Sequence, residues 1–173
     1  MLVRNAIAEW LRDHGIRHVF CVSGGASLWI IHGIADTEGI DYVCPQTEQA
    51  AGFAADAYAR LVGAGAALGT SGPGATNLIT AIASSYYDSV PVLYIAGQVT
   101  TSRFAHRYGA VRQFGFQETP IVPMVREITV FQSEPMTAAA VIPAFDNAWY
   151  AMHHGRKGPA LISVPDDVQR SEI

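Results

Sequence analysis

Charge is scarce in this chain. Asp, Glu, Lys and Arg make up 15% of its 173 residues, against about 25% in an ordinary globular protein. Half of the residues are hydrophobic, which is more apolar surface than one small domain normally hides, so an interface with a partner is expected. The net charge of −4 excludes nucleic acid as the main partner. Cysteine is nearly absent too. Cys21 and Cys44 both fall in apolar runs and read as buried free thiols, which fits a reducing cytoplasm. No apolar run is long enough to span a membrane. The amphipathic start "MLVRNAIAEWLRDHG" lacks the plan of a secretory signal.

Familiar chemical motifs are missing as well. "GTSGPGATN" (69–77) is glycine-rich but lacks the lysine that a P-loop places before Ser or Thr, and no G-x-G-x-x-G sits at a strand-to-helix turn. His14 and His18 have no acid or cysteine to complete a metal site. They read as surface histidines, like His153 and His154, so no metal ligand is expected in this chain.

What is there is an alternation of helix and strand. Helices are expected over 2–14, 27–37, 48–62, 75–87 and 135–153. Apolar runs at 17–22, 40–44, 66–70, 91–97, 127–131 and 159–164 read as strands. Residues 100–120 show no periodicity and read as a long loop. The expected fold class is α/β: a three-layer sandwich with a mainly parallel central sheet and helices on both faces, in one domain over 1–173. Such sheets bind ligands beyond the carboxyl ends of their strands. "SGGAS" (23–27), Glu48 and "TSGPGATN" (70–77) all fall at such ends.

Glu48 opens the Ala-rich helix "EQAAGFAADAYARLV", with Thr47 as the expected N-cap. By itself, an acid in a first turn is an ordinary feature worth under about 1 kcal/mol. In "RFAHRYGAVRQFGF" (103–116), Arg103, Arg107 and Arg112 are mixed with aromatics, as in an anion-attracting lid over a site.

"TEQAAGFAADAYAR", "TSGPGATNLITAIASSYYDSVPVLYIAGQV", "FQETPIV" and "RKGPALISVPDDVQ" together resemble the thiamine-diphosphate-dependent enzymes, in their acetolactate synthase-like branch. The resemblance runs over essentially the whole chain and is to the pyrimidine-binding domain. The G-D-G and paired asparagines of the family's diphosphate domain do not occur in these residues.

The resemblance implies that Glu48 hydrogen-bonds the cofactor's aminopyrimidine and so promotes loss of the thiazolium C2 proton. It implies that Gly24, Gly25, Pro73 and Asn77 line the cofactor site. Gly25 faces the reacting carbon, where glycine rather than an acid favours carboligation. Phe116 and Gln117 lie near the substrate, with Gln117 taking part in catalysis, and Ala26 and Arg112 join them. Thr47 stands where many members have histidine, and Ser23 where many have proline. The activity implied is decarboxylation or carboligation of a 2-oxo acid in an oligomer. Thiamine diphosphate is the cofactor, and Mg2+ is held by a diphosphate-binding partner subunit or domain. An excised domain of a larger synthase, and a non-catalytic interaction module that keeps the fold, are the alternatives.

Overall fold

The computed structural model describes all 173 residues. In chain order the elements are α1 (Val3–Asp13), β1 (His18–Cys21), α2 (Leu28–Ala35), β2 (Asp41–Val43), α3 (Glu48–Val62), β3 (Gly65–Gly69), α4 (Pro73–Asn77), α5 (Ile79–Tyr87), β4 (Val92–Gln98), α6 (Ile121–Met124), β5 (Phe131–Ser133), α7 (Ala138–His153), β6 (Ala160–Pro165) and α8 (Asp166–Arg170). The six strands form one sheet in the order β2-β1-β3-β4-β6-β5, and every pairing is parallel. This is the expected α/β sandwich.

A strand buried on both faces sends alternate side chains to opposite layers, and the central strands do so residue by residue. Ala66, Leu68, Leu93, Ile95, Ala160 and Ile162 join one core with α1, α2 and α7. Ala67, Val92, Tyr94, Ala96 and Leu161 join the other with α3, α4 and α5. The second layer is tight because its contacts are small. A Cβ on Gly52 of α3 would fall 2.5 Å from Ala81 Cβ, and one on Gly65 would strike the Ala55 carbonyl. The small-residue face of α3 is therefore occupied within the chain, while Phe53 and Leu61 point outward.

Several boundaries differ from expectation. The strand expected at 127–131 begins later. Arg126–Ile128 form a 3-10 turn, and pairing starts where Val130 N donates to Pro159 O (2.8 Å) and continues as Phe131 pairs with Ala160. Ile128 and Val130 owe their apolar character to packing against the two cores rather than to a ladder. The helix expected at 75–87 starts earlier, at Pro73, and is interrupted at Leu78. Cys44 is a correction: it lies just past the three-residue edge strand β2 and is exposed, because no element covers that edge. His14 and His153 are half-buried against Trp149, with ring centroids 4.9 and 4.2 Å away.

One polar chain crosses the second layer. Buried Asp56 accepts from Arg60 Nε (2.6 Å) and Ser85 Oγ (2.7 Å), and Ser85 Oγ lies 2.9 Å from the Tyr94 hydroxyl. Burial raises the Tyr94 pKa above the ordinary tyrosine range, and the neighbouring Asp56 charge adds to this. The unfolded chain gives up this proton at about pH 10. The stabilisation is therefore complete below that pH and declines as pH rises toward the higher folded value. Tyr94→Phe is expected to lower stability by about 1 kcal/mol at neutral pH and to flatten the decline above about pH 10. Urea unfolding of both proteins across pH 7–11 checks this, and parallel alkaline limbs would contradict it.

Candidate functional site

The strand order sets where a ligand can enter. After β1 the chain turns toward β2, and after β3 it turns the other way, toward β4. The connections part outside the carboxyl ends of β1 and β3, and a crevice opens at such a point. Gly24, Gly25 and Ala26 follow β1, Thr70 to Pro73 follow β3, and Glu48 begins the helix after β2.

The turn after β1 is fixed at Ala26. Ala26 N donates to Thr70 Oγ1 (3.2 Å), and Gln169 Nε2 donates to Ala26 O (2.7 Å). Two glycines make room for this. A Cβ on Gly24 would lie 2.5 Å from Thr70 Cβ, and one on Gly97 would collide with Ala26 O. Gly24 thus serves the approach of the two strand ends. Gly25 has nothing within 4 Å of where its Cβ would stand, so it faces open space.

Glu48 is the first residue of α3. Thr47 caps that helix as expected, with its Oγ1 accepting from Ala50 N (3.2 Å). The Glu48 carboxylate is half-buried. Its Oε2 accepts from Asn77 Nδ2 (3.0 Å), and Asn77 Oδ1 accepts from Gln49 Nε2 (3.3 Å), so the amide of Asn77 is oriented on both sides. Oε1 points along Gly74, where a Cβ would be 3.4 Å away, and Gly74 in turn packs on Thr70. Pro73 is exposed at the first position of α4, just after Gly72 at φ +62°.

Gly25, Ala26, Thr70, Arg103, Phe116 and Gln117 line one open cleft of about 270 Å³. Phe116 is 79% exposed, and Gln117 has φ +59°, a left-handed conformation uncommon for a residue with a side chain. Gln117 is pressed onto Gly72, where a Cβ would lie 2.7 Å from Gln117 Cβ. Glu118 holds the segment: Oε1 accepts from Ala105 N (2.7 Å), and Oε2 accepts from Phe114 N (3.1 Å) and Gly115 N (3.3 Å). The 100–120 segment is irregular as expected, with 3-10 turns at Thr101–Arg103 and Ala105–Tyr108. Asp167 anchors its start by accepting from Thr101 N (2.9 Å) and Oγ1 (2.6 Å).

Of the expected residues, Gly25, Ala26, Phe116 and Gln117 line this cleft; Glu48, Gly24, Pro73 and Asn77 sit beside it, after the carboxyl ends of β1, β2 and β3, without lining it, and Arg112 does not line it either. It lines a neighbouring one of about 300 Å³, beside Glu118 and Glu134. The arginine in the Gly25 cleft is Arg103. Thr70, Gln98, Glu118 and Gln169 were not foreseen as site residues. Thr70 and Glu118 sat inside quoted motifs, as did Gln169 at the end of "VPDDVQ". The buried Gln98, which donates to Thr119 O (2.8 Å) and lines both clefts, also sat inside a quoted motif, at the end of "YIAGQV".

A family model described as "Thiamine pyrophosphate enzyme, N-terminal TPP binding domain" matches residues 1–127. Among curated proteins, the chain is 38% identical over 170 residues to acetolactate synthase 2, chloroplastic, of Nicotiana tabacum, covering 98% of this chain and 24% of that protein. It is 40% identical over 176 residues to acetolactate synthase of Arthrospira platensis, covering 97% of this chain and 28% of the relative. It is 36% identical over 173 residues to the acetolactate synthase large subunit of Buchnera aphidicola, covering 99% and 28%. The chain thus spans about a quarter of the length of the curated relatives it matches. The family model and these matches meet on the same crevice-bearing fold, and the chain belongs to the thiamine pyrophosphate enzymes as an N-terminal TPP-binding domain similar to that of acetolactate synthase.

Proposed function

We propose that this chain is the pyrimidine-binding half of an enzyme that decarboxylates or joins 2-oxo acids, and that a second domain or subunit holds the Mg2+ and diphosphate. The observation that carries the reading is the Glu48 carboxylate at the crevice. One oxygen is held by Asn77, and the other takes no part in the chain's hydrogen bonds. That donor set fits the ring end of thiamine diphosphate. A carboxyl oxygen is available to a ring nitrogen, Gly25 faces open space that a flat group can enter, and Glu48 forms no ion pair with a Lys or Arg. The same reading assigns the ion to the partner, as the family resemblance implies. A cytoplasmic oligomer is part of the same reading.

Bound thiamine diphosphate supplies a thiazolium carbon that loses a proton and adds to a carbonyl. This chain's residues would assist as follows. Glu48 shares a proton with the pyrimidine nitrogen, and Asn77 keeps the carboxylate aimed. Gly25 would leave the space beside the bound group without an acid, a setting that favours carboligation. Arg103 offers a positive charge to the carboxylate of an incoming 2-oxo acid, while Phe116 and Gln117 form the wall beside it.

The ring site is testable on this chain alone. Titrating 4-amino-5-hydroxymethyl-2-methylpyrimidine into labelled protein is expected to shift the amide signals of Thr70, Gly74 and Asn77, and Glu48→Ala is expected to remove those shifts. Shifts confined to other parts of the chain would overturn the assignment. In the assembly with a diphosphate-binding domain, Glu48→Gln is expected to slow exchange of the cofactor's C2 proton. It should also lower kcat by about 10²–10⁴-fold, the range of general acid–base assistance. Unchanged exchange by NMR would sink the proposed role.

The two clefts separate the arginines. Arg103→Ala is expected to raise KM for a 2-oxo acid about fivefold, the loss of ~1 kcal/mol of partly screened attraction. The effect should be greater at low salt. Arg112→Ala is expected to change KM less than twofold, a ratio near unity for a charge outside the cleft. Equal effects of the two substitutions would reject the division of the loop.

A further inference from the structure

Outside the site, one pair of reactive groups stands out. The register that pairs Phe20 with Val43 continues to set Cys21, the last residue of β1, opposite Cys44, just beyond β2. Their Sγ atoms lie 3.9 Å apart. Parallel neighbours stand about 4.8 Å apart in a sheet, inside the Cα separation of roughly 4.4–6.8 Å that a disulfide spans. Both side chains leave the same face of the sheet. Cys21 is fully buried, whereas Cys44 is exposed. The pair thus combines an accessible entry sulfur with a second sulfur in contact behind it. Both are free thiols.

We propose that Cys21 and Cys44 are a redox modification site, closing to an intrachain disulfide by exchange with a low-molecular-weight disulfide such as glutathione disulfide. The Cys44 thiolate attacks one sulfur of glutathione disulfide, forms a mixed disulfide and releases one glutathione thiolate. Cys21 then loses its proton to solvent, and its sulfur attacks the Cys44 sulfur. That step forms the Cys21–Cys44 bond, breaks the Cys44–glutathione bond and releases the second glutathione. The protein loses two electrons and two protons, and one glutathione disulfide becomes two glutathiones.

The order of the steps follows from the surroundings. Burial first, then the facing Cys44, pushes the Cys21 thiol up to about 12, so Cys21 is protonated at neutral pH and does not react first. Capping Cys44 removes the opposing negative charge and brings an electrophilic sulfur into contact. The bond joins the carboxyl ends of the two strands that lead into Gly25 and Glu48. The inference rests on the thiol geometry alone and does not depend on the proposed catalytic role.

The test uses the intact chain at neutral pH with an excess of glutathione disulfide. The expected product is a monomer lighter by two hydrogens, with thiols falling from two to none and returning with dithiothreitol. A non-reduced digest should contain one peptide joining the Cys21 and Cys44 segments. Cys21→Ser should stop at a stable glutathione adduct on Cys44, and Cys44→Ser, checked as folded by circular dichroism, should remain unmodified at Cys21. A lasting glutathione adduct on the wild-type chain, a Cys44–Cys44 dimer, or two thiols still free after prolonged exposure would each overturn the proposal.

Discussion

The site depends on how closely the turn after β1 can approach the ends of β3 and β4. Ala26 is held through its N–H by Thr70 and through its carbonyl by Gln169, and that carbonyl rests where Gly97 has no side chain. Each of these hydrogen bonds is worth about 1 kcal/mol net. The steric term is larger in its consequences, because backbone carbonyls in a packed interior have little freedom to retreat. Gly97 sits on β4 near the centre of the sheet, so any shift needed to admit a Cβ there would be transmitted to both neighbouring strands. Gly25 faces open space because Ala26 beside it is immobilised.

Glu48 depends on a second set of constraints of the same type. The first turn of α3 is placed by the packing of Gly52 on Ala81 and of Gly65 on Ala55, which brings α3 down onto β3 and α5. α4 carries Asn77 and α5 carries Ala81, with Leu78 alone between the two helices. The contact that seats α3 therefore also sets Asn77 against the Glu48 carboxylate. An electrostatic account of Glu48 based on the helix macrodipole gives under about 1 kcal/mol and no direction for the side chain. The hydrogen bond from Asn77 supplies the direction.

Much of this was legible in the residues. Alternation of apolar strands with helices implies the α/β sandwich with a mainly parallel sheet, and α3 is legible at 48–62 because its Thr47 cap and its alanines agree. β5 was misplaced because Ile128 and Val130 are apolar for packing reasons, while the residues that pair include the polar Gln132 and Ser133 of an edge strand. Cys44 read as buried because its run is apolar, but an edge position is not encoded in the run itself. The resemblance pointed to Gly25, Ala26, Phe116 and Gln117, and these four residues line one cleft. The separation of Arg103 from Arg112 was not legible, since it depends on which way an aperiodic loop folds around Glu118.

That loop shows how a conformation uncommon for a side-chain-bearing residue can be held without a regular element. Gln117 at φ +59° is disfavoured by roughly 1 kcal/mol or more. The opposing terms lie on either side of it. Glu118 gathers three backbone N–H groups, and a carboxylate accepting from N–H groups forms bonds about twice as strong as neutral pairs. On the other side Gly72 lacks the Cβ that would exclude Gln117. Gln98 ties Thr119 O to the end of β4 (2.8 Å), and Asp167 ties Thr101 to α8. The segment is thus anchored at its first residues, near its last residues and across its interior, by groups belonging to β4, α8 and the loop itself. Residues 105–112 lie between these anchors and carry Arg107 and Arg112 on the exposed side. The cleft wall at Phe116 and Gln117 is accordingly held by Glu118 and Gly72, and the basic tip is tied back by Tyr108, whose hydroxyl donates to Ser102 O (2.7 Å) and whose ring stacks on Phe114.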